Sequence, residues 1–451
     1  MDKSGIAQDK KFHMMITQPV GKLVSRLAVP SIITMMITAV YNMADTFYVA
    51  GIDVQSPAAV GIIFSYMAFI QAIAFFFGQG SANYISRALG ARDRVNALNV
   101  ASTGFFTALI TGIVIAVSGF IFMDDVLRLL GSTDTILPYA RAYFRYILIG
   151  TPFIMSSFVM NNQMRFQGNA FTSMMGITSG ALLNIILDPI FIFVLEMGVA
   201  GASLATMISQ CVSFFILLRL SGKGDGIPLR LSNFKPKFWH YREITAGGLP
   251  SLGRQGLASV SLAYMNQLAG AYGDTAIAAL SIVFRVTMFA TAVVLGFGQG
   301  FQPVCGFNFG AGKFSRVREA FWFGVSVITV YCAVLSIGGY IFAEKIIGLF
   351  RPDDRELIAL GSSALRYECL VYTTIGFVTM SNMFLQSTRK TIRATSLSAS
   401  RQGFVLALVL YVGSRLWGLE GIISAQPLSD GITFLISIPF VYSLMRELKE
   451  P

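Results

Sequence analysis

Apolar runs of about twenty or more residues alternate with short polar connectors along almost the whole chain. A helix needs about 20 apolar residues to cross the hydrocarbon core of a bilayer, so each run predicts one membrane-spanning helix. The pattern therefore predicts an all-α polytopic membrane protein with twelve spans. The runs cover residues 23–50, 58–86, 96–122, 138–160, 170–195, 199–219, 243–271, 276–304, 319–343, 360–385, 392–412 and 418–445.

The longest polar connector separates the first six runs from the last six. It covers residues 221–242 and is rich in Gly, Pro and Lys. We expect an N-terminal lobe at 1–220, a cytoplasmic linker at 221–242 and a C-terminal lobe at 243–451.

The two halves repeat each other at a constant interval of 220 positions. Because six spans return the chain to the same side of the membrane, the repeats are parallel and are related by an axis along the membrane normal. Two such lobes that rock about a central cavity provide alternating access. The matched segments are Pro30-Ser31 with Pro250-Ser251, Phe77-Gly78-Gln79-Gly80 with Phe297-Gly298-Gln299-Gly300, Gly90-Ala91 with Gly310-Ala311, and Gly198 and Gly201 with Gly418 and Gly421.

Composition supports the membrane interpretation. Hydrophobic residues make up 54% of the 451 residues and charged residues only 13%, which is too little polar surface for a soluble domain of this length. The net charge of +11 comes from Lys and Arg in the short loops, so it indicates membrane orientation and anionic lipid headgroups rather than nucleic acid. The distribution of these cations predicts that both termini are cytoplasmic.

The sequence shows no signal typical of a secreted protein, a nucleotide hydrolase, an enzyme or a metal-binding protein. The N-terminus shows no short apolar core followed by a small-residue cleavage site, so we expect no removable signal peptide. No GxxxxGK[ST] run is present, and no cluster of catalytic residues suggests an enzyme. The four cysteines are scattered singly through apolar segments, which favours packing over a disulfide or a metal site: Cys211, Cys305, Cys332 and Cys369.

An acid inside the first apolar run is the first candidate for function. Asp45 lies near the end of the run Leu27–Gly51, which Pro30 interrupts near its start. A carboxylate in a span costs about 2.5–3.5 kcal/mol at the helix centre and less near an end, so it indicates a functional site. The alternatives are that Asp45 reaches the interface or caps a loop.

The fifth run supplies a second acid with a polar neighbour. Asn184 and Asp188 are four residues apart and therefore share one helix face. Pro189 removes the amide that would bond the carbonyl of Ile185, which leaves that oxygen free. Counting about 1.5 Å per residue, Asp188 lies at the depth of Asp45.

Three more polar side chains fall near this level. Thr206 in the sixth run is level with both acids, and Tyr41 and Tyr143 are within reach. Such a set of oxygen ligands suits a proton or a hard monovalent cation such as Na⁺, whose binding relieves the repulsion between the carboxylates and lets the chain bend or straighten at Pro30. The alternative is that the two acids are hydrogen-bonded in ordinary packing.

The second half lacks this layer, since the positions 220 residues later hold Met265, Phe404, Leu408 and Gln426. It carries other charges near mid-span, which must pair or face a wet cavity. Two interpretations remain open: a neutralising network that holds the lobe together, or a role in binding substrate or in coupling. The charged residues are Arg254, Arg285, Glu368, Arg401 and Asp430.

The segments GKLVSRLAVPSI, YNMADTFYVAG, FGQGSANYISRALGARD and LLNIILDPIF resemble those of the multidrug and toxic compound extrusion (MATE) transporters, in the bacterial MepA- and DinF-like branch. The likeness runs through the whole chain. It implies a V-shaped protein of two six-helix bundles in a bacterial inner (plasma) membrane. It also implies antiport of organic compounds against H⁺ or Na⁺.

The resemblance assigns roles to single residues. Asp45 is similar to the family's first-helix acid, Asp188 to its fifth-helix acid, and Pro30 to the proline of the first-helix bend. Asn184 and Thr206 match the polar groups beside the acids. Tyr41, Tyr143 and Asn161 are similar to further members of the N-lobe cavity, although depth counting places Asn161 nearer the inner face. Where the NorM-like branch has acids in the seventh span, this chain has Arg254.

We therefore expect a secondary transporter that exports amphipathic organic compounds, with cations favoured, and that needs no organic cofactor. The 20 Met and 38 Phe residues suit a cavity that adapts to varied ligands. Its partners are the small-molecule substrate and membrane lipids, and the family pattern suggests a monomer. The alternative is a lipid-linked saccharide flippase of the same superfamily, which the span count disfavours and the second-half arginines support.

Overall fold

The computed structural model describes residues 3–53, 55–223 and 226–448, with the side chains of residues 3–8 and 274 outside the description. Within these ranges the chain is all-α, as predicted. The first half contains α1 (Lys3–Thr17), α2 (Val20–Ala50), α3 (Gln55–Gly90), α4 (Arg94–Ile121), α5 (Met123–Leu129), α6 (Leu137–Phe166), α7 (Ala170–Pro189) with a π-helical turn at Ile190–Val194, and α8 (Gly198–Ser221).

A 3₁₀ turn at Leu231–Asn233 lies in the connector, and the second half repeats the order of the first. It contains α9 (Phe238–Gly270), α10 (Asp274–Gly310), α11 (Phe314–Ile341), α12 (Ala343–Gly348), α13 (Arg355–Ser387), α14 (Thr391–Ala399), a π turn at Ser400–Phe404 that leads into α15 (Val405–Ile423), and α16 (Ala425–Glu447).

Twelve long helical segments among the described residues correspond to the twelve predicted spans. Ten of them are long and apolar enough to cross a membrane by themselves. The other two, α9 and α13, are just as long but carry charged residues such as Glu243, Arg254 and Glu368. Polar spans of this kind are tolerated where their polar faces are buried within the helix bundle.

The boundary between the last two spans differs from the prediction. The eleventh span was expected to end at 412, but the chain stays largely helical to Ile423 and the last helix begins at Ala425. Gly418, at φ 58° and ψ −128°, kinks the segment. Its counterpart in the repeat, Gly198, has φ 56° and starts α8. Glycine is suited to this left-handed backbone, which explains why the repeat keeps it at both positions.

Both halves meet on the side where α2 begins and α16 ends, called here the terminal face. A Cβ atom on Gly90 would lie 2.0 Å from the backbone oxygen of Phe307, and one on Gly310 would lie 2.0 Å from that of Arg87. Arg87 and Phe307 are themselves 220 positions apart, so the two contacts are counterparts in the repeat. The ends of α3 and α10 approach this closely because neither glycine has a side chain.

The last glycine of each Phe-Gly-Gln-Gly motif lies in the same interface. Gly80 of α3 packs against Ile244 of α9, and Gly300 of α10 packs against Ala28 of α2. The Gln79 amide donates to Asn162 Oδ1 of α6 at 3.0 Å. These contacts agree with a packing role and with the predicted interhelical hydrogen bond.

A buried ion-pair group also joins the halves at the terminal face. Glu243 of α9 pairs with Arg389, which follows α13, and with Arg87 of α3 at 3.5 Å. Arg87 also donates to the backbone oxygen of Ser387 at 3.3 Å. The face is thus closed by charges as well as by glycine contacts.

The N-terminal helix α1 lies across this interface. Lys11 donates to Asn169 of the first half at 2.7 Å, and Asn308 of the second half donates to the backbone oxygen of Met15 at 3.2 Å. The Met15 side chain is fully buried in a core composed largely of second-half residues. The mixed-charge sequence of this segment did not predict a helix, because its stability depends on this packing rather than on an apolar run.

Candidate functional site

The polar side chains of the fifth and sixth spans form one buried cluster. Asn184 Nδ2 donates to Asp188 Oδ1 at 3.0 Å and to Thr206 Oγ1 at 3.3 Å. All three residues are at least 98% buried. The spacing of four residues places Asn184 and Asp188 on one face of α7, as expected from the sequence, and α8 brings Thr206 against it.

The acid of the first span lies beside this cluster. Asp45 interacts electrostatically with Asp188, and both acids act on Tyr41 and Tyr143. Tyr143 is 1% exposed, whereas Asp45 is half-buried. Side chains from α2, α6, α7 and α8 therefore converge on one region of the first half.

Three oxygens of this group are buried and have no hydrogen-bond partner in the part of the chain that the structure describes: Asp45 Oδ1, Asn184 Oδ1 and Asp188 Oδ2. A buried polar atom without a partner costs about 1–3 kcal/mol, and more where the group is charged. Unpaired acceptors in one cluster are therefore suited to a bound proton or cation.

The backbone is irregular beside the second acid. The π-helical turn Ile190–Val194 follows Pro189 directly. Proline cannot donate to the carbonyl of Ile185, and the wider turn absorbs the mismatch that this leaves. Such π turns frequently occur at functional sites.

A cavity in the first half opens next to the cluster, and Tyr41 and Thr206 line both. Its wall combines aromatic and apolar side chains with amides, which suits an amphipathic ligand. Several of these residues were not predicted from the sequence, although Gln210 lies four residues after Thr206 on the same helix face. The additional lining residues include Asn42, Phe64, Met67, Gln71, Phe158 and Gln210.

Asn161, which the resemblance places in the cavity, has a different environment. Its Nδ2 donates to the backbone oxygen of Ser173 at 3.1 Å and to Ser173 Oγ at 2.6 Å. Its Oδ1 accepts from Arg165 Nη1 at 3.3 Å. Ser173 is 15 positions before Asp188 in α7, about four turns away. The structure thus gives Asn161 a packing contact between α6 and α7 near the terminal face, as depth counting indicated.

Three of the five second-half charges form a connected group. Arg401 Nε donates to Asp430 Oδ1 at 2.8 Å, and Arg401 Nη2 donates to Asp430 Oδ2 at 3.3 Å. Gln426 donates to Asp430 Oδ1 at 3.0 Å, and Glu368 interacts electrostatically with both partners. Arg401 lies in the π turn Ser400–Phe404, so each half places a π turn beside its charged group.

The other two second-half charges stand apart from that group. Arg254 Nη1 donates to Asn382 Oδ1 at 3.4 Å, and Arg401 repels it electrostatically. Arg285 is exposed. The expected network of five residues is therefore too large, because no ion pair among the described residues joins either of these two arginines to an acid.

Comparison with known proteins places the whole chain in one family. The MatE family model matches residues 30–190 and 250–412, two segments whose first residues are 220 positions apart, as in the repeat. The multidrug export protein MepA of Staphylococcus haemolyticus (strain JCSC1435) is 28% identical over 98% of this chain and 97% of its own length. MepA of Staphylococcus aureus (strain MSSA476) is 26% identical over 98% of both chains.

Solved structures agree with this over the full length. A MATE protein crystallised in complex with MaL6 superimposes with a TM-score of 0.91 at 26% identity, covering 97% of this chain and 99% of that one. An outward-facing multidrug resistance MATE transporter superimposes with a TM-score of 0.90 at 27% identity, covering 97% of this chain and 98% of that one. The matched segments make up well over half of the sequence, and this membrane-integral protein belongs to the MatE family.

Proposed function

We propose that this protein is a secondary active multidrug efflux transporter that exports amphipathic organic compounds in exchange for H⁺ or Na⁺. The observation that carries this proposal is the group of unpaired buried oxygens on Asp45, Asn184 and Asp188. Membership of the MatE family and the similarity to proteins named multidrug export protein MepA support it.

The coupling ion binds within this group. A proton on either acid, or a Na⁺ shared among the oxygens, removes the repulsion between two carboxylates in a medium of low dielectric constant. Thr206 and the free carbonyl of Ile185 complete the set of oxygen donors. Family membership favours transport over an enzymatic activity, and the proposed mechanism needs no organic cofactor.

Cargo and ion compete because their sites share residues. Tyr41 and Thr206 line the cavity and also lie against the acid group. Cargo with a positive charge is attracted while the acids are ionised and is released once the ion neutralises them. This competition makes the exchange obligatory.

Movement takes place between the two lobes, 1–220 and 243–451, linked by 221–242. Pro30 lies inside α2 and is buried, and it serves as a hinge that responds to the charge of Asp45 on the same helix. MATE structures have been solved in a straight and in a bent conformation, and they superimpose on this protein with TM-scores of 0.90 and 0.89, respectively. We place the monomer in the inner membrane with both termini cytoplasmic, in contact with lipids and not with nucleic acid.

The test is export of an organic-cation dye from proteoliposomes under a pH gradient or a Na⁺ gradient, imposed separately. Wild type should respond to one gradient, and Asp45→Asn and Asp188→Asn should each lower the driven rate at least tenfold while remaining folded. Asp124→Asn is the control, because Asp124 is half-exposed, lies in α5 outside the spans and pairs with Arg141 at the start of α6. Wild-type rates in both site variants would show that the acids are structural.

A further inference from the structure

Arg254 has no carboxylate partner among the described residues, although it lies within a membrane span, where a buried cation needs one. The polar contact that the structure gives it is the neutral amide of Asn382, at 3.4 Å. Arg401, which acts on it electrostatically, is also a cation and is itself bonded through two nitrogens to Asp430. Among the described residues, no acid lies within ion-pair distance of Arg254.

The location of Arg254 makes this lack of a partner costly. It follows the start of α9 by 16 residues, about 24 Å along the helix, and its side chain is half-buried. Arginine at such a depth faces either a partner or a wet cavity, because hydrocarbon does not solvate it.

Arg254 lies on a side of α9 that contacts both halves. Gly247, seven residues earlier and about two turns away, packs on Gly80 of the first half. Ser261, seven residues after Arg254, donates to the backbone oxygen of Gln402 of the second half. Arg254 therefore lies on a side of α9 that packs against both halves, further from the terminal face than Gly247. Its guanidinium also remains within reach of α13 through Asn382.

A second arginine without an acid partner among the described residues lies on α10. Arg285 of α10 precedes Gly296 by eleven residues, about three turns, and Gly296 packs on Ile32 of α2. Arg285 is exposed. Helices α9 and α10 thus each carry an arginine that has no ion-pair partner among the described residues.

We propose that Arg254 binds the anionic group of a transported amphiphile, a carboxylate, sulfonate or phosphate, with Arg285 attracting the same charge at the approach. A guanidinium is suited to this because its fork of N–H donors matches two oxygens of such a group. This inference rests on the proposed function, since it names the part of the cargo that the second half recognises. The cargo then includes zwitterionic and anionic amphiphiles as well as cations.

The test is equilibrium binding of two matched dyes to the purified full-length protein in detergent, followed by fluorescence anisotropy. One dye is a rhodamine with a free carboxylate, and the other is its ester, which has the same ring system and positive charge. Wild type should bind both. Arg254→Gln should lower the affinity for the carboxylate dye at least tenfold and change the affinity for the ester less than twofold. A hydrogen bond to a charged group contributes about 1.5–3 kcal/mol, which corresponds to at least a tenfold change in affinity.

Two variants and a lipid control separate binding from folding and from lipid effects. Arg254→Lys keeps the charge but loses the fork and should give an intermediate affinity for the carboxylate dye. Arg415→Gln removes an exposed arginine that stacks on Tyr411 and should leave the affinity for both dyes unchanged. Displacement of the carboxylate dye by a short-chain anionic phospholipid, but not by a neutral one, would assign the site to a lipid headgroup and overturn the cargo assignment.

The outcomes distinguish this proposal from the one on which it rests. If wild type binds the ester but not the carboxylate dye, or if Arg254→Gln lowers the affinity for both dyes equally, the assignment of the anion site is wrong. The proposed multidrug efflux is then unaffected. If wild type binds neither dye, the proposed efflux function fails and the anion site fails with it.

Discussion

At the scale of single residues, two buried asparagines of the first half make similar contacts in different settings. Asn184 donates to an acid and to a hydroxyl and keeps an unpaired oxygen. Asn161 donates twice to Ser173 and accepts from Arg165, so its amide is fully used in packing. Asn184 therefore has an oxygen that can accept a bond from a ligand, whereas the amide of Asn161 has none to spare.

This contrast gives a prediction for paired alanine variants. Asn184→Ala should lower gradient-driven dye export at least tenfold per folded molecule, because it removes one ligand oxygen and the donor that holds Asp188. Asn161→Ala should instead lower the melting temperature, since it loses hydrogen bonds worth about 1–3 kcal/mol, and should keep the export rate per folded molecule. The two measurements are a thermal melt and proteoliposome transport. Equal effects of the two variants on both would contradict the separation of site and packing.

The sequence predicts part of this site well. The spacing of Asn184 and Asp188 determines a shared helix face, and depth counting brings Thr206 and Asp45 to the same level. It cannot predict which face of each span turns inward, because apolar side chains serve equally for lipid and for helix contacts. For that reason Asn42, Gln71 and Gln210 were missed, and Arg285 was placed in a network it does not join.

At the scale of elements, the regular spans were predictable and their irregularities were not. Twelve apolar runs give twelve helices, but the π turns at Ile190–Val194 and Ser400–Phe404 depend on packing against neighbouring helices. Helix α1 also depends on tertiary contacts, and the start of α16 at Ala425 lies in a buried cluster of the second half. Each π turn lies next to charged residues, which links the irregular backbone to the polar groups of the bundle.

The first π turn yields a prediction about Pro189. Pro189→Ala should restore the amide that bonds the carbonyl of Ile185, make α7 regular and remove an oxygen from the proposed ion site. We expect an unchanged or higher melting temperature, because proline inside a helix costs about 3 kcal/mol, together with a fall in gradient-driven export of about tenfold.

The matched control for that prediction is Pro439→Ala. Pro439 also lies inside a long helix, α16, away from the acid group. It should raise or preserve the melting temperature without loss of export. If Pro189→Ala exports at the wild-type rate, the free carbonyl plays no part in coupling.

At the scale of the whole molecule, the terminal face must open for alternating access. It is held by the contacts of Gly90 and Gly310 and by Glu243, which is 2% exposed and joins Arg389 of its own half to Arg87 of the other. Removing one partner from a buried ion pair costs about 3–5 kcal/mol, because the remaining charge is uncompensated. The closed arrangement therefore depends strongly on Glu243.

We predict that Glu243→Gln shifts the protein towards a state that is open at the terminal face. Cys305 reports on this opening, because it is fully buried in α10 beside Arg87 and Ser387. In a chain whose other three cysteines are replaced, the rate of maleimide labelling at Cys305 should rise at least tenfold in Glu243→Gln, since labelling follows the population of the open state. Glu447→Gln is the control: Glu447 also pairs with two cations, Lys390 and Arg393, but within one half, so labelling should stay at the wild-type rate. A Glu243→Gln variant that labels no faster than this control would show that the glycine contacts alone hold the face closed.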